Sequence, residues 1–116
     1  MAVSVTDIHL ERATGILHLQ FDDGLAASLD AEYLRVESPS AEVQGHGPDQ
    51  RQLVSGKRSV RIDRIIPVGH YAIQLVFDDG HDSGLFSWEY LHQLARERPQ
   101  RWPAYENALA AHGLSR

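Results

Sequence analysis

Residues 17–24 read Leu17-His18-Leu19-Gln20-Phe21-Asp22-Asp23-Gly24, and the segment recurs as Ile73-Gln74-Leu75-Val76-Phe77-Asp78-Asp79-Gly80. Phe21 recurs as Phe77, at an offset of 56 residues. Each copy continues to a Glu-Tyr-Leu stretch, Glu32-Tyr33-Leu34 and Glu89-Tyr90-Leu91, at an offset of 57, so one residue is inserted between the two blocks. The chain therefore contains a repeat of two units, which is too few for a solenoid.

Each copy of the repeat has the pattern of a β-hairpin followed by an acidic helix start. Alternate side chains of a strand share one face, so the first copy is expected to bury Leu17, Leu19 and Phe21. The equivalent face of the second copy consists of Tyr71, Ile73, Leu75 and Phe77. Asp-Gly favours a tight turn between two strands because glycine tolerates positive φ. We therefore expect a pseudo-symmetric pair of hairpins in one sheet system.

The C-terminal part of the sequence predicts helices. Ser87 is a good N-cap. The helix that it begins is expected to end near Arg98-Pro99, because a proline disfavours helical geometry at the preceding residue. Pro103 suits the first turn of a second helix, which Gly113 would cap at its C-terminus. The predicted fold class is α+β: a mostly antiparallel β-sheet built from two repeated hairpin units, followed by two C-terminal helices.

The length and charge of the chain limit its class. Its 116 residues suit one domain, 1–116, with a core over about 5–97 and a C-terminal helical extension over 99–114. Between the repeats, Val60 to Val68 predicts a further strand. A net charge of −5 argues against an extended nucleic-acid interface, which needs a basic footprint. Five basic residues do gather in one third of the chain, and a solvated strand face explains them more simply than a binding patch. They are Arg51, Lys57, Arg58, Arg61 and Arg64.

The sequence lacks several features that would define a function or a compartment. It contains no cysteine, which excludes disulfides, a thiolate nucleophile and a cysteine zinc site within the chain. No apolar run approaches the ~20 residues of a membrane span. The start, Met1 to Asp7, has neither the charged nor the apolar region of a signal peptide. These absences lead us to expect a cytoplasmic protein that does not enter a membrane.

Two longer stretches carry a family resemblance. Residues 34–47 read LRVESPSAEVQGHG, and residues 68–91 read VGHYAIQLVFDDGHDSGLFSWEYL. They resemble the small bacterial domain of unknown function that is grouped with the N-terminal domain of gamma-butyrobetaine hydroxylases. The resemblance covers roughly residues 5 to 97. It implies a domain that in the hydroxylases precedes a catalytic dioxygenase domain.

The same resemblance implies a zinc site that this chain has lost. In the hydroxylases a Cys-Pro-Cys-x-x-Cys run and a later histidine hold a structural zinc. In this chain the three cysteine positions fall on Ser38, Ser40 and Val43, and the histidine falls on His81. A structural zinc needs four deprotonated ligands, and neither a neutral serine hydroxyl nor a valine supplies one. We therefore expect no structural zinc, and no cofactor, at this position.

A metal site with new ligands is the alternative. His81 and His46 are the candidate ligands, with nearby carboxylates, and such ligands suit a labile iron or zinc. The simpler interpretation is that His81 hydrogen-bonds the Ser38 or Ser40 hydroxyl in place of a metal. The paired acids Asp22-Asp23 and Asp78-Asp79 resemble a catalytic pair, but their place before the repeated glycine indicates turn chemistry. We therefore assign no catalytic residue.

The sequence leaves three functional hypotheses. The first is a non-enzymatic binding or adaptor module that recognises a protein partner through a sheet face and the region of Trp102 and Arg101, since exposed aromatic and arginine side chains are common in interfaces. Fusion of similar domains to ATPases of the iron–sulfur carrier type suggests iron–sulfur assembly machinery as the partner. The second is a metal-binding protein that uses His81. An enzyme ranks last because the sequence offers no activated nucleophile and no convincing acid–base pair, and hydroxylase activity is not expected because the dioxygenase domain is absent. A homodimer through an exposed sheet edge is also open.

Overall fold

The computed structural model describes residues 3–39 and 53–116 of the chain. It has α+β architecture, with six strands and two helices in these residues. In chain order the elements are β1 (Val5–Glu11), β2 (Ile16–Phe21), β3 (Ala26–Asp30), α1 (Ala31–Val36), β4 (Ile62–Val68), β5 (Ala72–Phe77), β6 (Leu85–Ser87) and α2 (Trp88–Ala111). The predicted fold class is confirmed.

The repeat extends further than the sequence indicated. Each hairpin gains a third strand, which produces two antiparallel sheets with the orders β1-β2-β3 and β4-β5-β6 rather than one sheet system. Each added strand carries an irregularity at the same place, between Val5 and Asp7 in β1 and between Ile62 and Arg64 in β4. The strand predicted over 60–68 is confirmed as β4, whereas β1 was not among the predicted elements.

The two Asp-Asp-Gly segments form equivalent turns. Gly24 and Gly80 adopt φ values of 91° and 90°, which a residue with a side chain rarely adopts. The first aspartate of each turn, Asp22 or Asp78, accepts a hydrogen bond from the backbone N–H at the start of the added strand, at 3.1 and 3.0 Å. The second aspartates, Asp23 and Asp79, accept hydrogen bonds from the Leu25 and His81 N–H groups at 3.0 and 3.1 Å, so all four carboxylates have structural partners and the turn interpretation is confirmed.

Helix α2 differs from its prediction. Ser87 does cap it, since the side chain accepts a hydrogen bond from the Tyr90 N–H at 3.1 Å. The predicted break at Pro99 is wrong, because one helix runs through both Pro99 and Pro103. An internal proline costs about 3 kcal/mol, and packing on both sides offsets that cost. The buried residues that anchor the two halves of the helix are Leu91, Leu94, Tyr105 and Leu109.

Helix α2 ends just before Gly113, as predicted. Gly113 adopts a φ of 67°, and its N–H donates to the Ala110 carbonyl at 3.2 Å. The Leu114 N–H reaches the Leu109 carbonyl at 2.8 Å. This pair of bonds is the Schellman motif, which satisfies carbonyls that the helix leaves unpaired at its end. The boundary predicted between the core, which ends near residue 97, and the helical extension, which begins at residue 99, falls inside this one continuous helix.

The inner faces of both sheets and the two helices share one hydrophobic core. Its largest buried side chains include Phe21, Phe77, Phe86 and Tyr33. Tyr71 was expected on the inner face of β5, but it lies in the turn before that strand and is 65% exposed. Because β5 begins at Ala72, Tyr71 lies outside the alternation of that strand.

The helices of the two repeats are joined by reciprocal hydrogen bonds, which we call the crossed bonds. The Tyr33 hydroxyl of α1 donates to the Leu94 carbonyl of α2 at 2.7 Å. The Tyr90 hydroxyl of α2 donates to the Glu37 carbonyl at the end of α1, at 2.5 Å. Tyr33 corresponds to Tyr90, and Glu37 to Leu94, at the same offset of 57. Each repeat therefore binds the helix of the other through the same bond.

Candidate functional site

Ser38 and His81, the described residues of the predicted zinc position, meet in a buried corner between α1 and the second hairpin. Ser38 follows α1 and is fully buried, and His81 follows the Asp-Asp-Gly turn and is 5% exposed. The Ser38 Oγ and His81 Nε2 atoms are hydrogen-bonded at 2.9 Å. Gly84 lies so close that a Cβ atom there would be 2.3 Å from Ser38 Oγ. The corner thus contains the serine–histidine network that the sequence predicted as one of its two alternatives.

A charged network adjoins this corner. Asp79 accepts hydrogen bonds from Arg35 Nε at 2.9 Å and from the His81 N–H at 3.1 Å, and Lys57 Nζ lies 2.6 Å from its carboxylate. Burial alone would raise the pKa of Asp79, but these partners, with Lys57 foremost, outweigh it and hold that pKa at about 2. Within the described residues, Arg35 Nη1 is buried without a hydrogen-bond partner. The second turn is therefore fixed to α1 by charge.

The first turn has the same relationship to α2. Asp23 accepts a hydrogen bond from the Leu25 N–H at 3.0 Å, and His92 Nε2 lies 2.7 Å from its carboxylate. His92 occupies the position of Arg35, and Asp23 that of Asp79. The backbone bond from Leu25, with a smaller contribution from His92, lowers the pKa of Asp23. Neither aspartate is placed as a free acid or base.

The region of Trp102 and Arg101 is occupied by contacts within the chain. Arg101 bonds the buried carboxylate of Glu37 and also Glu97 at 2.9 Å. The guanidinium groups of Arg98 and Arg116 lie over the Trp102 ring, at 5.3 and 5.2 Å from the ring centroid. These contacts account for both predicted interaction residues structurally, and a binding role for them stays a prediction.

An open groove of about 400 Å³ lies beside the C-terminal half of α2. Its walls are mostly apolar, and the Arg101–Glu37 ion pair lies at its rim. The lining residues include Val36, Val54, Ala104, Tyr105 and Ala108. Val36, Tyr105 and Leu109 form a second small core cluster here.

The outward faces of the two sheets differ in chemistry although the sheets are equivalent. The face of β1-β2-β3 is polar, and its His18 bonds Ser28 at 2.8 Å and Glu11 at 2.9 Å. The corresponding face of β4-β5-β6 is mostly apolar, although Gln74 lies at its centre, paired with Ile66 and Leu85, and Arg64 lies on β4. At equivalent positions His9, Glu11, Gln20 and Ser28 of the first sheet are replaced by Ile66, Val68, Val76 and Leu85 of the second.

None of these four apolar residues joins either core cluster. Leu85 is 52% exposed, and Ile66, Val68 and Val76 are partly exposed. We name them the apolar face. The sequence analysis missed it, although a comparison of outward positions between the two repeat copies would have found it.

The remaining predicted metal-site residues are not placed. Ser40, Val43 and His46 lie outside the described residues. Over residues 3–39 and 53–116, no group of three or more His, Asp or Glu side chains is arranged to hold a metal ion. Within those same ranges no helix has the length and apolarity needed to cross a bilayer.

The fold and this corner define a small pseudo-symmetric α+β domain with two crossed repeats. The family model described as gamma-butyrobetaine hydroxylase-like, N-terminal, matches residues 8–92, and the chain belongs to that family. The predicted resemblance is confirmed. No curated protein matches the chain significantly.

Solved structures with the same fold agree with this assignment. A solution NMR structure is 47% identical, with a TM-score of 0.84 over 97% of this chain and 89% of the other. A crystal structure of a protein of unknown function from Acidithiobacillus ferrooxidans, which belongs to the DUF971 family, is 38% identical. Its TM-score is 0.67, over 79% of this chain and 92% of the other.

Proposed function

We propose that this chain is a non-enzymatic protein-binding module and that it binds through the apolar face. The observation that carries the proposal is the difference between the two outward sheet faces. The first sheet has polar residues at the four equivalent positions and adopts the same fold. The fold therefore does not require apolar residues at these positions of the second sheet, where Ile66, Val68, Val76 and Leu85 lie. An apolar cluster that the core does not need is typical of an interaction surface.

The physical reason is the cost of leaving such a cluster in water. Each large aliphatic side chain gains about 1.5–3 kcal/mol when it is fully removed from water. A partner that covers Ile66, Val76 and Leu85 would gain part of that energy without any rearrangement of the sheet. Because the three lie on paired strands, the binding surface is rigid before the partner arrives, which lowers the entropic cost of association.

The absence of an enzymatic role is part of the same proposal. Acid–base catalysis needs a titratable group within reach of a substrate. In this chain Asp23 is held in its turn by the Leu25 N–H and His92, Asp79 is held by Arg35 and Lys57, and His81 is buried against Ser38. These hydrogen bonds support a structural role for each of the three side chains that the sequence offered as a candidate for catalysis or metal binding.

Co-purification from the native host tests the proposal. The tagged wild-type chain is compared with Ile66→His/Leu85→Ser, which gives the second sheet the residues of the first. The matched control is His9→Gln, on the outward face of the first sheet. We expect a defined protein, which includes untagged copies of this chain among the possibilities, to be captured by wild type and control and lost with the double variant. Equal capture by all three chains would refute the proposal.

Binding of iron or zinc at His81 is the alternative function. Its support is that Ser38 and His81, at two positions that correspond to zinc ligands in relatives, still face each other at 2.9 Å. Elemental analysis of tag-free protein and of His81→Ala tests it. About one metal per chain, lost in the variant, would establish a metal site, and metal-free protein would remove this alternative. Iron–sulfur assembly machinery remains the partner expected from the family resemblance.

A further inference from the structure

We propose that the apolar face binds the same face of a second copy of this chain, with a two-fold axis parallel to the strands. The inference rests on the proposed function and names its partner. In such a dimer the outward face of β4-β5-β6 in one protomer covers the outward face of the same sheet in the other. A two-fold interface requires a surface that is complementary to itself.

The charges at the edges of the apolar face meet this requirement. Arg64 lies on β4 opposite Val76, so its side chain is on the outward face. Asp82 precedes β6 and therefore lies at the opposite edge of the sheet from Arg64. Its carbonyl accepts a hydrogen bond from the outward Gln74 side chain at 2.7 Å. Both residues are exposed. Among the residues that the structure describes, neither Arg64 nor the Asp82 carboxylate has an ion-pair partner.

The geometry of the two-fold axis brings these charges together. Rotation about an axis parallel to the strands, in the plane between two facing sheets, exchanges the β4 edge with the β6 edge. It leaves the level along the strands unchanged. Arg64 and Asp82 lie at the same end of the sheet, so Arg64 of each copy comes opposite Asp82 of the other. The apolar face then packs against itself between two ion pairs, around Gln74, whose side-chain N–H donates to the Asp82 carbonyl.

The size of the face sets the strength of the expected dimer. Strands lie about 4.8 Å apart and rise about 3.3 Å per residue, so two strands of about six residues and the three-residue β6 together cover about 240 Å². Stable complexes bury ~800 Å² per partner. The dimer is therefore weak and depends on protein concentration. Opposite charges on its rim mainly determine register and specificity.

Analytical ultracentrifugation of the purified, tag-free chain tests the dimer, from micromolar to millimolar concentrations. We expect the wild type to associate reversibly. Arg64→Asp and Asp82→Arg each place like charges opposite one another, and we expect each to weaken self-association at least about tenfold. An equimolar mixture of the two variants restores opposite charges at both rim positions, so it should associate as the wild type does.

The mixture distinguishes a specific dimer from loss of folding, since two unfolded variants would not restore each other. Ile66→His/Leu85→Ser should abolish association, and His9→Gln should leave it unchanged. A wild type that stays monomeric at millimolar concentration would overturn the dimer. So would variants that associate normally, or a mixture that fails to recover. Capture of a different protein through the apolar face would then leave the proposed function intact, whereas equal capture by all chains would refute both.

Discussion

Tyr33 and Tyr90 occupy equivalent positions in the two repeats, and each donates its hydroxyl hydrogen bond to the helix of the other repeat. Burial raises the pKa of Tyr33, so its hydroxyl stays protonated and remains a donor across the usual pH range. The two crossed bonds join α1 to α2 at either end of their contact. They make the helices the link between the two halves of the domain.

Removal of either hydroxyl should destabilise the whole domain. Tyr33→Phe and Tyr90→Phe each leave a carbonyl without its tyrosine donor, and we expect each to lower the free energy of unfolding by about 1–2 kcal/mol. Urea denaturation followed by circular dichroism measures the change. Tyr71→Phe is the control because Tyr71 is 65% exposed. If the three variants unfold alike, the crossed bonds contribute nothing measurable.

The Ser38–His81 pair should contribute more stability than a serine–histidine pair on the surface. Ser38→Ala removes a hydroxyl that is fully buried beside His81, with an expected cost of about 1–2 kcal/mol. Ser28→Ala removes the exposed serine that bonds His18 at 2.8 Å, and should cost less than about 0.5 kcal/mol. Thermal unfolding of both variants compares them. Equal costs would show that burial of the corner has no energetic role.

The Asp79 network should make stability depend on pH. The ordinary pKa of an aspartate is 3.8, and in the fold that of Asp79 is about 2. Because the folded pKa is the lower one, the stabilisation is complete above pH 3.8 and is lost as the pH falls towards 2.

Asp79→Asn should therefore reduce the free energy of unfolding by about 1–3 kcal/mol at pH 7, and by progressively less towards pH 2. Urea denaturation of variant and wild type between pH 2 and 7 measures this difference. Asp63→Asn, on an exposed side chain, is the control. A difference that stays constant over that range would contradict the ionic origin.

Replacement of a proline within α2 should stabilise the protein. Pro99 is exposed and internal to the helix, so Pro99→Ala loses little packing and regains a helical N–H donor. We expect an increase of about 1–3 kcal/mol in the free energy of unfolding. Gln100→Ala, at the exposed neighbouring position, should change it by less than about 0.5 kcal/mol. A destabilised Pro99→Ala would mean that the proline begins a separate helix.

The sequence was sufficient for features that depend on neighbours along the chain. The Asp-Asp-Gly turns, the Ser87 cap and the Gly113 terminus are local, and all were predicted. Strand β1 was missed although β4, which carries the same irregularity, was predicted. Ile and Val dominate β4, whereas the apolar residues of β1 are separated by polar ones such as Asp7 and His9, which gives a weaker strand signal. Pro99 was misjudged because its local effect is overcome by packing from distant parts of the chain.

The candidate site was predicted only in part, for a related reason. The resemblance pointed to Ser38 and His81, and their hydrogen bond was one of two alternatives. The apolar face could not be recognised from one strand alone. Ile65 and Ile66 are adjacent and both apolar, as are Leu75 and Val76, so periodicity does not show which of each pair faces the core. The pairing of strands across the sheet resolves that ambiguity.

The crossed tyrosine bonds have a consequence for the chain as a folding unit. The acceptor for Tyr33 lies in the second half of the sequence, and the acceptor for Tyr90 lies in the first. A fragment that holds only β1 to α1, or only β4 to α2, lacks the acceptor for its own tyrosine and the side chain, His92 or Arg35, that bonds its own turn aspartate. The two fragments should complement each other on mixing. The two halves of the chain thus contact each other as the two subunits of a symmetric dimer would, except that they are covalently connected.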